Sequence, residues 1–449
     1  MSVRLSSSLN SSPRPPVTMP RRLLLLLLVP TALSAQLAPA ERAIARHVDT
    51  RQAEATALLE QLVNLNSGTM NLAGVRAVGE VLRRELDALG FATRWEDGAP
   101  FQRAGHLIAE RTGRGPRVLL IGHLDTVFEP EHPFQRFERI DSIRTRGPGI
   151  TDMKGGDVII VQALKALQAA GQLERMSIAI VLHGDEELSG EPRALARKTL
   201  IDIARRSDIA IGFEDGDGDP TTAVIARRGY TSWRLTSTGT PAHSSQVFRA
   251  DIGAGAIYES ARVLQEFRER LSGDPLVTFN PGIALGGTTV ELDSTMVRGA
   301  AAGKSNVISA RMSVAGDLRT ISPEKLAEVK VAMESIVATS LPHTSSRIQF
   351  EDGYPPMAPT EGNRRLLAVY DQVSRDLGAG PVGIDNPARA GAADVSFAAG
   401  LVPMIIDGLG LAGWDGHTDK EIADMSTLSM LTKRAAILLY RVTRASPAP

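Results

Sequence analysis

The 449-residue chain has no cysteine. That absence excludes disulfides, thiolate metal ligands, a cysteine nucleophile and a lipidated N-terminal cysteine. Basic charge is not in excess either: 50 Lys and Arg stand against 51 Asp and Glu, a formal net charge of −1. The field that draws nucleic acid is therefore missing. No Gly-x-Ser-x-Gly elbow is present, which removes the usual support for a serine hydrolase. Internal repeats are absent, and low complexity is confined to the leader. With 43% hydrophobic and 22% charged residues, what remains is an ordinary globular composition. The length exceeds one small core and suggests two domains.

Long apolar runs are also lacking. The longest, Leu23–Val29 and its small-residue continuation to Ala35, covers about ten residues, too few for a spanning helix. Preceded by Arg21 and Arg22 and followed by Ala32-Leu33-Ser34-Ala35, it reads as a secretory signal peptide. Met19 is a second candidate start, since 1–18 is a Ser/Pro/Arg-rich leader. Cleavage near Ser34 or Ala35 removes four arginines, taking Lys and Arg from 50 to 46 against 51 acids, a net charge of −5. An exported, cysteine-free chain suits a bacterial periplasm or secretion, with no membrane attachment after cleavage.

From residue 41 the chain alternates helical and strand-like segments. Helical spacing over 41–66 leads into the turn Asn66-Ser67-Gly68-Thr69. Asn71 caps the next helix, whose stripe is Val75, Val78, Leu82, Leu86 and Leu89, and Gly90 stops it. Strands are expected at 106–110, 118–121, 178–182 and 209–213, with a helix at 158–170. This alternation predicts an α/β sheet covered by helices on both faces. Near Arg228 the order becomes β-α-β-β-α-β: strands at 230–237, 287–292, 309–318 and 347–350, helices at 253–267 and 323–340. That order is ferredoxin-like. After Pro355-Pro356 the α/β pattern resumes, with a helix at 361–377 and a strand at 402–406. The expected organisation is a leader and signal peptide over 1–35, a catalytic domain over 40–227 and 355–449, and an inserted domain over 228–354.

Five acids or imidazoles stand in settings that suit a metal ligand: His123, Asp152, Glu187, Glu214 and His417. His123, Glu187 and Glu214 follow apolar runs, where an α/β sheet presents its active edge. Asp152 follows the turn Gly147-Pro148-Gly149. His123 and Asp125 lie two apart at a strand end and share one side of it, so the carboxylate can fix the imidazole. Glu186 and Glu187 are adjacent and point different ways, leaving one free as a base. Taken alone, most of these signals are better explained by structure or by solvated charge. Asp215, Asp217 and Asp219 mimic a calcium loop, but Pro220 and Ala226 replace its required Gly and Glu.

Together, in this order, the motifs resemble the co-catalytic zinc exopeptidase and deacylase family that includes glutamate carboxypeptidase, succinyl-diaminopimelate desuccinylase and acetylornithine deacetylase. The resemblance runs from about residue 45 onward and is closest to the glutamate carboxypeptidase branch, which 62–69 also resembles. It implies a mixed sheet sandwiched by helices with an inserted ferredoxin-like lid or dimerisation domain, and two zinc ions per chain, with cobalt or manganese as substitutes. By resemblance, His123, Asp152 and Glu214 hold one ion and Asp152, Glu187 and His417 the other. Asp125 orients His123, Glu186 is the general base, and the bond after Asp152 is cis. His243 reaches the active site from the smaller domain, in dimeric members from the partner subunit. Asn306 and Arg319 hold the substrate's carboxylate, for which an arginine fork is suited, although an ordinary salt bridge explains Arg319 equally well. Gly391 lies in a Gly-rich segment lining the pocket.

The implied activity is release of a C-terminal amino acid from a small peptide or N-acyl amino acid, by a homodimer joined through the lid. An N-acyl amino acid deacylase is the alternative, and a non-catalytic binding homologue a third reading, which loss of a ligand or of Glu186 would favour. None is lost. Three departures bear on glutamate selectivity: Ser309 replaces the usual Pro, no Lys follows Glu214, and Tyr354 stands where a basic residue is usual.

Overall fold

The apolar runs that end in acids and imidazoles become the central strands of one sheet. The computed structural model describes residues 37–444, so the leader and signal segment fall outside the described residues. The six-stranded sheet has the order Ala92–Asp97, Gly105–Arg111, Met176–His183, Arg114–His123, Ile209–Gly212, Met404–Ile406. Its first two pairings are antiparallel and the other three parallel, giving the mixed sheet expected. Along Arg114–His123, Val118 and Leu120 join a core containing helices Leu72–Ala88, Gly155–Ala169 and Leu428–Val442. Leu119 and Ile121 join a second core with Leu200 and Ile203 of helix Lys198–Ala204. Helices thus cover both faces, and strands buried on both sides read as unbroken apolar runs. Each such Leu or Ile contributes roughly 1.5–3 kcal/mol by leaving water.

A second sheet occupies the middle of the chain, in the order Thr278–Gly287, Arg311–Arg319, Thr231–Gly239, Thr344–Asp352, antiparallel throughout. Helices Ala256–Leu271 and Pro323–Val337 share its core through Val263, Phe267, Met333 and Ile336, packed on Trp233 and Leu318. The chain then returns, and Met404–Ile406 pairs with Ile209–Gly212 of the first sheet.

Several element boundaries differ from the sequence reading. The spacing over 41–66 resolves into two helices, Pro39–Thr50 and Gln52–Val63. The helix expected from Gly253 begins at Ala256, because Gly253 and Gly255 adopt φ of 80° and 84°. Strand Thr278–Gly287 is absent from the sequence reading. It is a sheet edge containing Pro281, with a bulge between Pro281 and Ile283, and its apolar content is low. The hairpin Thr289–Leu292 and Gly299–Ala302 follows it. Among the described residues, no helix is long and apolar enough to cross a membrane.

Candidate metal centre

The parallel strands deliver their last residues to one edge. His123 closes Arg114–His123, Glu186 and Glu187 follow Met176–His183, and Glu214 follows Ile209–Gly212. Asp152 sits in the turn between Gly149 and helix Gly155–Ala169, and its bond to Met153 is cis. Gly149 takes φ of 69°, and a Cβ there would meet Thr126 Cγ2 at 2.4 Å. At Gly156 a Cβ would lie 2.1 Å from the Phe213 carbonyl oxygen, so glycine lets the helix start approach the segment carrying Glu214.

These placements bring the five sequence-derived ligands together as two groups. His123, Asp152 and Glu214 form one; Asp152, Glu187 and His417 form the other. The aspartate faces both ways. Its Oδ1 lies 3.0 Å from His123 Nε2 and its Oδ2 lies 2.8 Å from His417 Nε2. Glu214 Oε1 is 3.5 Å from His123 Nε2, and Glu187 Oε2 is 3.2 Å from His417 Nε2. His417 is 58% exposed while His123 is 1% exposed, so the second group faces the entrance.

The electrostatics fit cations. Burial pushes Glu214, Glu187 and Glu186 upward, Asp152 adding to the rise at Glu187 and Asp394 to that at Glu186. Burial opposes the charge of His123, yet Glu214, Asp125 and Asp152 hold it above its ordinary value. His417 is pushed up to about 11 by its bonds to Asp152 and Glu187. Two imidazoles compensate an excess of buried carboxylates, and Glu187 Oε1 is buried with no hydrogen-bond partner. Orphaned carboxylate oxygen around a shared aspartate suits a pair of divalent ions. His and carboxylate donors alone can hold zinc.

Asp125 does more than the sequence reading assigned it. His123 Nδ1 lies 3.1 Å from the Asp125 main-chain oxygen and 3.4 Å from its carboxylate Oδ1. The carboxylate accepts from the Thr69 hydroxyl at 2.6 Å and from the amides of Glu186 at 3.0 Å and Glu187 at 3.1 Å. It therefore shapes the turn that carries both glutamates.

Other supporting residues escaped the sequence reading. Glu421 is fully buried and accepts from the amides of Gly149 at 2.9 Å, Thr151 at 2.9 Å and Asp152 at 3.2 Å. Asp407 accepts from the Glu214 amide at 3.3 Å and from Arg227 Nε at 2.7 Å. Arg227 also donates to the Gly391 carbonyl at 2.8 Å, which anchors the segment expected to line the pocket. The Asp-Lys-Glu run after His417 was the visible hint of Glu421, but its partners lie some 270 residues away.

The small-sheet residues are placed differently. His243 is exposed and bonds to Ser245 Oγ at 2.8 Å. It bridges to Val307, and Ser244 donates to the Asn306 carbonyl at 2.9 Å, so His243 and Asn306 are neighbours. Arg319 donates from Nε to Asp317 at 3.0 Å and lies over the Tyr230 ring at 5.5 Å. The salt-bridge reading of Arg319 therefore holds for one edge of its guanidinium. The hydrogen bonds of His243 and Arg319 stay within the small-sheet region.

A helix-covered mixed sheet whose edge gathers two carboxylate-and-imidazole groups around one aspartate defines a metallohydrolase scaffold. The model of peptidase family M20/M25/M40 matches residues 119–441, and the chain belongs to that family. It is 26% identical to carboxypeptidase G2 of a Pseudomonas species over 85% of this chain and 87% of that protein. Succinyl-diaminopimelate desuccinylase of Delftia acidovorans is 32% identical over 41% of this chain and 50% of its own length. Among solved structures, aminopeptidase PepT of Bacillus cereus superposes with a TM-score of 0.69 at 18% identity, covering 88% of this chain and 99% of that one.

Proposed function

We propose that this metallohydrolase binds two zinc ions and releases a C-terminal amino acid from a small peptide or an N-acyl amino acid. The carrying observation is Asp152, whose two oxygens face His123 and His417 at 3.0 and 2.8 Å. His123, Asp152 and Glu214 would hold one ion, and Asp152, Glu187 and His417 the other. When bound, such a pair polarises the amide carbonyl and acidifies the attacking water. Glu186 accepts the water's proton on its carboxylate and returns it to the leaving nitrogen. Asp125 holds the Glu186–Glu187 turn and the orientation of His123. His243 donates to the developing oxyanion. Asn306 and the free edge of Arg319 take the substrate carboxylate.

A homodimer through the small sheet accounts for the exposure of His243, which would serve the partner's site. Phe248, Tyr258, Ile257 and Val297 of that region are 64%, 55%, 45% and 69% exposed, an apolar surface suited to a subunit interface. Mixing Glu186→Gln and His243→Ala chains should raise activity above that of either variant alone. The Leu-rich segment before residue 36 supports export to the periplasm or medium, read out by fractionation and by the N-terminus of the mature chain.

The alternative, an N-acyl amino acid deacylase, draws on the desuccinylase relatives. Zinc-loaded protein should be offered dipeptides and N-acetyl amino acids with matched leaving residues. Faster turnover of the dipeptides supports the carboxypeptidase reading, and a clear preference for the acetyl series overturns it. Reconstitution with zinc, cobalt or manganese separately identifies the metal that supports most turnover.

A further inference from the structure

Two chain segments connect the sheets, and they are bonded to each other. Arg227 and Met357 exchange main-chain hydrogen bonds at 3.0 and 2.9 Å. Tyr230 donates to the Tyr354 carbonyl at 2.9 Å, and Gly353 donates to that of Tyr230 at 2.9 Å. The crossing is thus a two-stranded ribbon that continues the small sheet.

Tyr354 extends from this ribbon to the loop bearing the two glutamates. Its hydroxyl donates to the Glu186 main-chain oxygen at 3.0 Å and accepts from Arg197 at 3.1 Å. A phenol has one proton to give, so both directions are fixed. Burial, with Glu186 and Asp394 nearby, holds the phenol well above its ordinary value and keeps that proton in place. Arg197 is fully buried and grips Asp185 at its carboxylate, 2.6 Å, and at its carbonyl, 3.0 Å. It also bonds Asp394 at 2.7 Å, and Asp394 pairs with His183. The Tyr354 ring packs against Phe397 with centroids 5.1 Å apart.

The Glu186 peptide is therefore pinned on both sides. Its amide donates to Asp125 on the metal side, and its carbonyl accepts from Tyr354 on the ribbon side. We propose that Tyr354 is a positioning residue: through its hydroxyl and Arg197, it seats Glu186 and ties that seating to the ribbon joining the two sheets. The hydroxyl is committed to these two partners, which leaves it no proton to donate to a substrate.

The inference rests on the reading of Glu186 as general base, and the test separates the two. The metal-loaded full-length Tyr354→Phe enzyme keeps the ring and loses the hydroxyl. Its kcat should fall roughly ten- to hundredfold, the scale of a misplaced reacting group, with KM and metal content unchanged. Phe397→Leu serves as the packing control and should lower Tm while leaving kcat within about twofold. Unchanged kcat in Tyr354→Phe overturns the proposal, as does a rise in KM alone, which would mark a substrate contact. An equal fall of kcat in Phe397→Leu would make the role merely structural. Glu186→Gln is measured alongside. If it turns over, the base assignment fails; if it is inactive while Tyr354→Phe retains full kcat, only the Tyr354 proposal fails.

Discussion

The edge of the six-stranded sheet and the face of the small sheet carry different kinds of polar residue. At the edge, carboxylates are buried and pushed from their ordinary protonation, and one oxygen of Glu187 is left without a partner. On the small sheet, His243 is exposed and Arg319 half-exposed, and their bonds go to near neighbours in sequence. Buried polar groups that are not locally satisfied need a further partner. Exposed, locally satisfied groups tolerate its absence. The first region thus gathers, within one chain, buried carboxylates and imidazoles that suit cations, while the second is exposed and satisfied locally.

The sharpest way to break this contrast is to change the aspartate common to both groups. Asp152→Asn should reduce turnover to background and lower the metal content of both groups at once, as read by elemental analysis. Retention of one full metal equivalent with activity would show that the groups are independent. Next in size, His243→Ala should cost about 10²–10³ in kcat, the scale of an oxyanion donor. Metal content and Tm should not change, because the residue is exposed. A loss of metal would erase the distinction between the regions.

The edge should also betray itself by protons. His417 is raised from 6.5 to about 11, so its contribution to the metal-free fold is full below 6.5 and lost as pH rises through about 11. Glu187 is raised as well, so its contribution also declines as pH climbs from its ordinary 4.5. Metal must displace both protons. Loading at neutral pH should release protons, and apparent metal affinity should rise with pH, measurable by calorimetry in buffers of different ionisation heat. Uptake without proton release would contradict the assignment. The smallest effect is at Glu421→Gln, which turns one acceptor oxygen into a donor facing a main-chain amide. It should cost about 1–3 kcal/mol of stability in thermal or denaturant unfolding. No change would show that the Asp152 turn does not depend on it.

The ligands were legible because parallel strands buried on both faces end abruptly. An acid or imidazole just beyond Ile178–Leu182 or Ile209–Phe213 is by itself equally an ordinary solvated or structural group, and only the order of all five motifs with their neighbours made the set legible. The β-α-β-β-α-β order also showed in the sequence, except for its edge strand, where Pro281 and low apolar content hid the period. The supports were not legible. Thr69 looked like part of a turn, and nothing local says that its hydroxyl reaches Asp125, 56 residues on. Arg197 and Asp394 are 197 residues apart and look like ordinary charges until the fold buries them together. Strand ends write themselves into local sequence, whereas the long-range bonds that hold them do not.

The central claim is that Glu186 moves the proton while its neighbours hold the metals. Glu186→Gln preserves shape and both main-chain bonds of that residue. Metal analysis and turnover of this variant should show two equivalents per chain and a kcat reduced by about 10²–10⁴. Full metal with undiminished kcat would contradict the account.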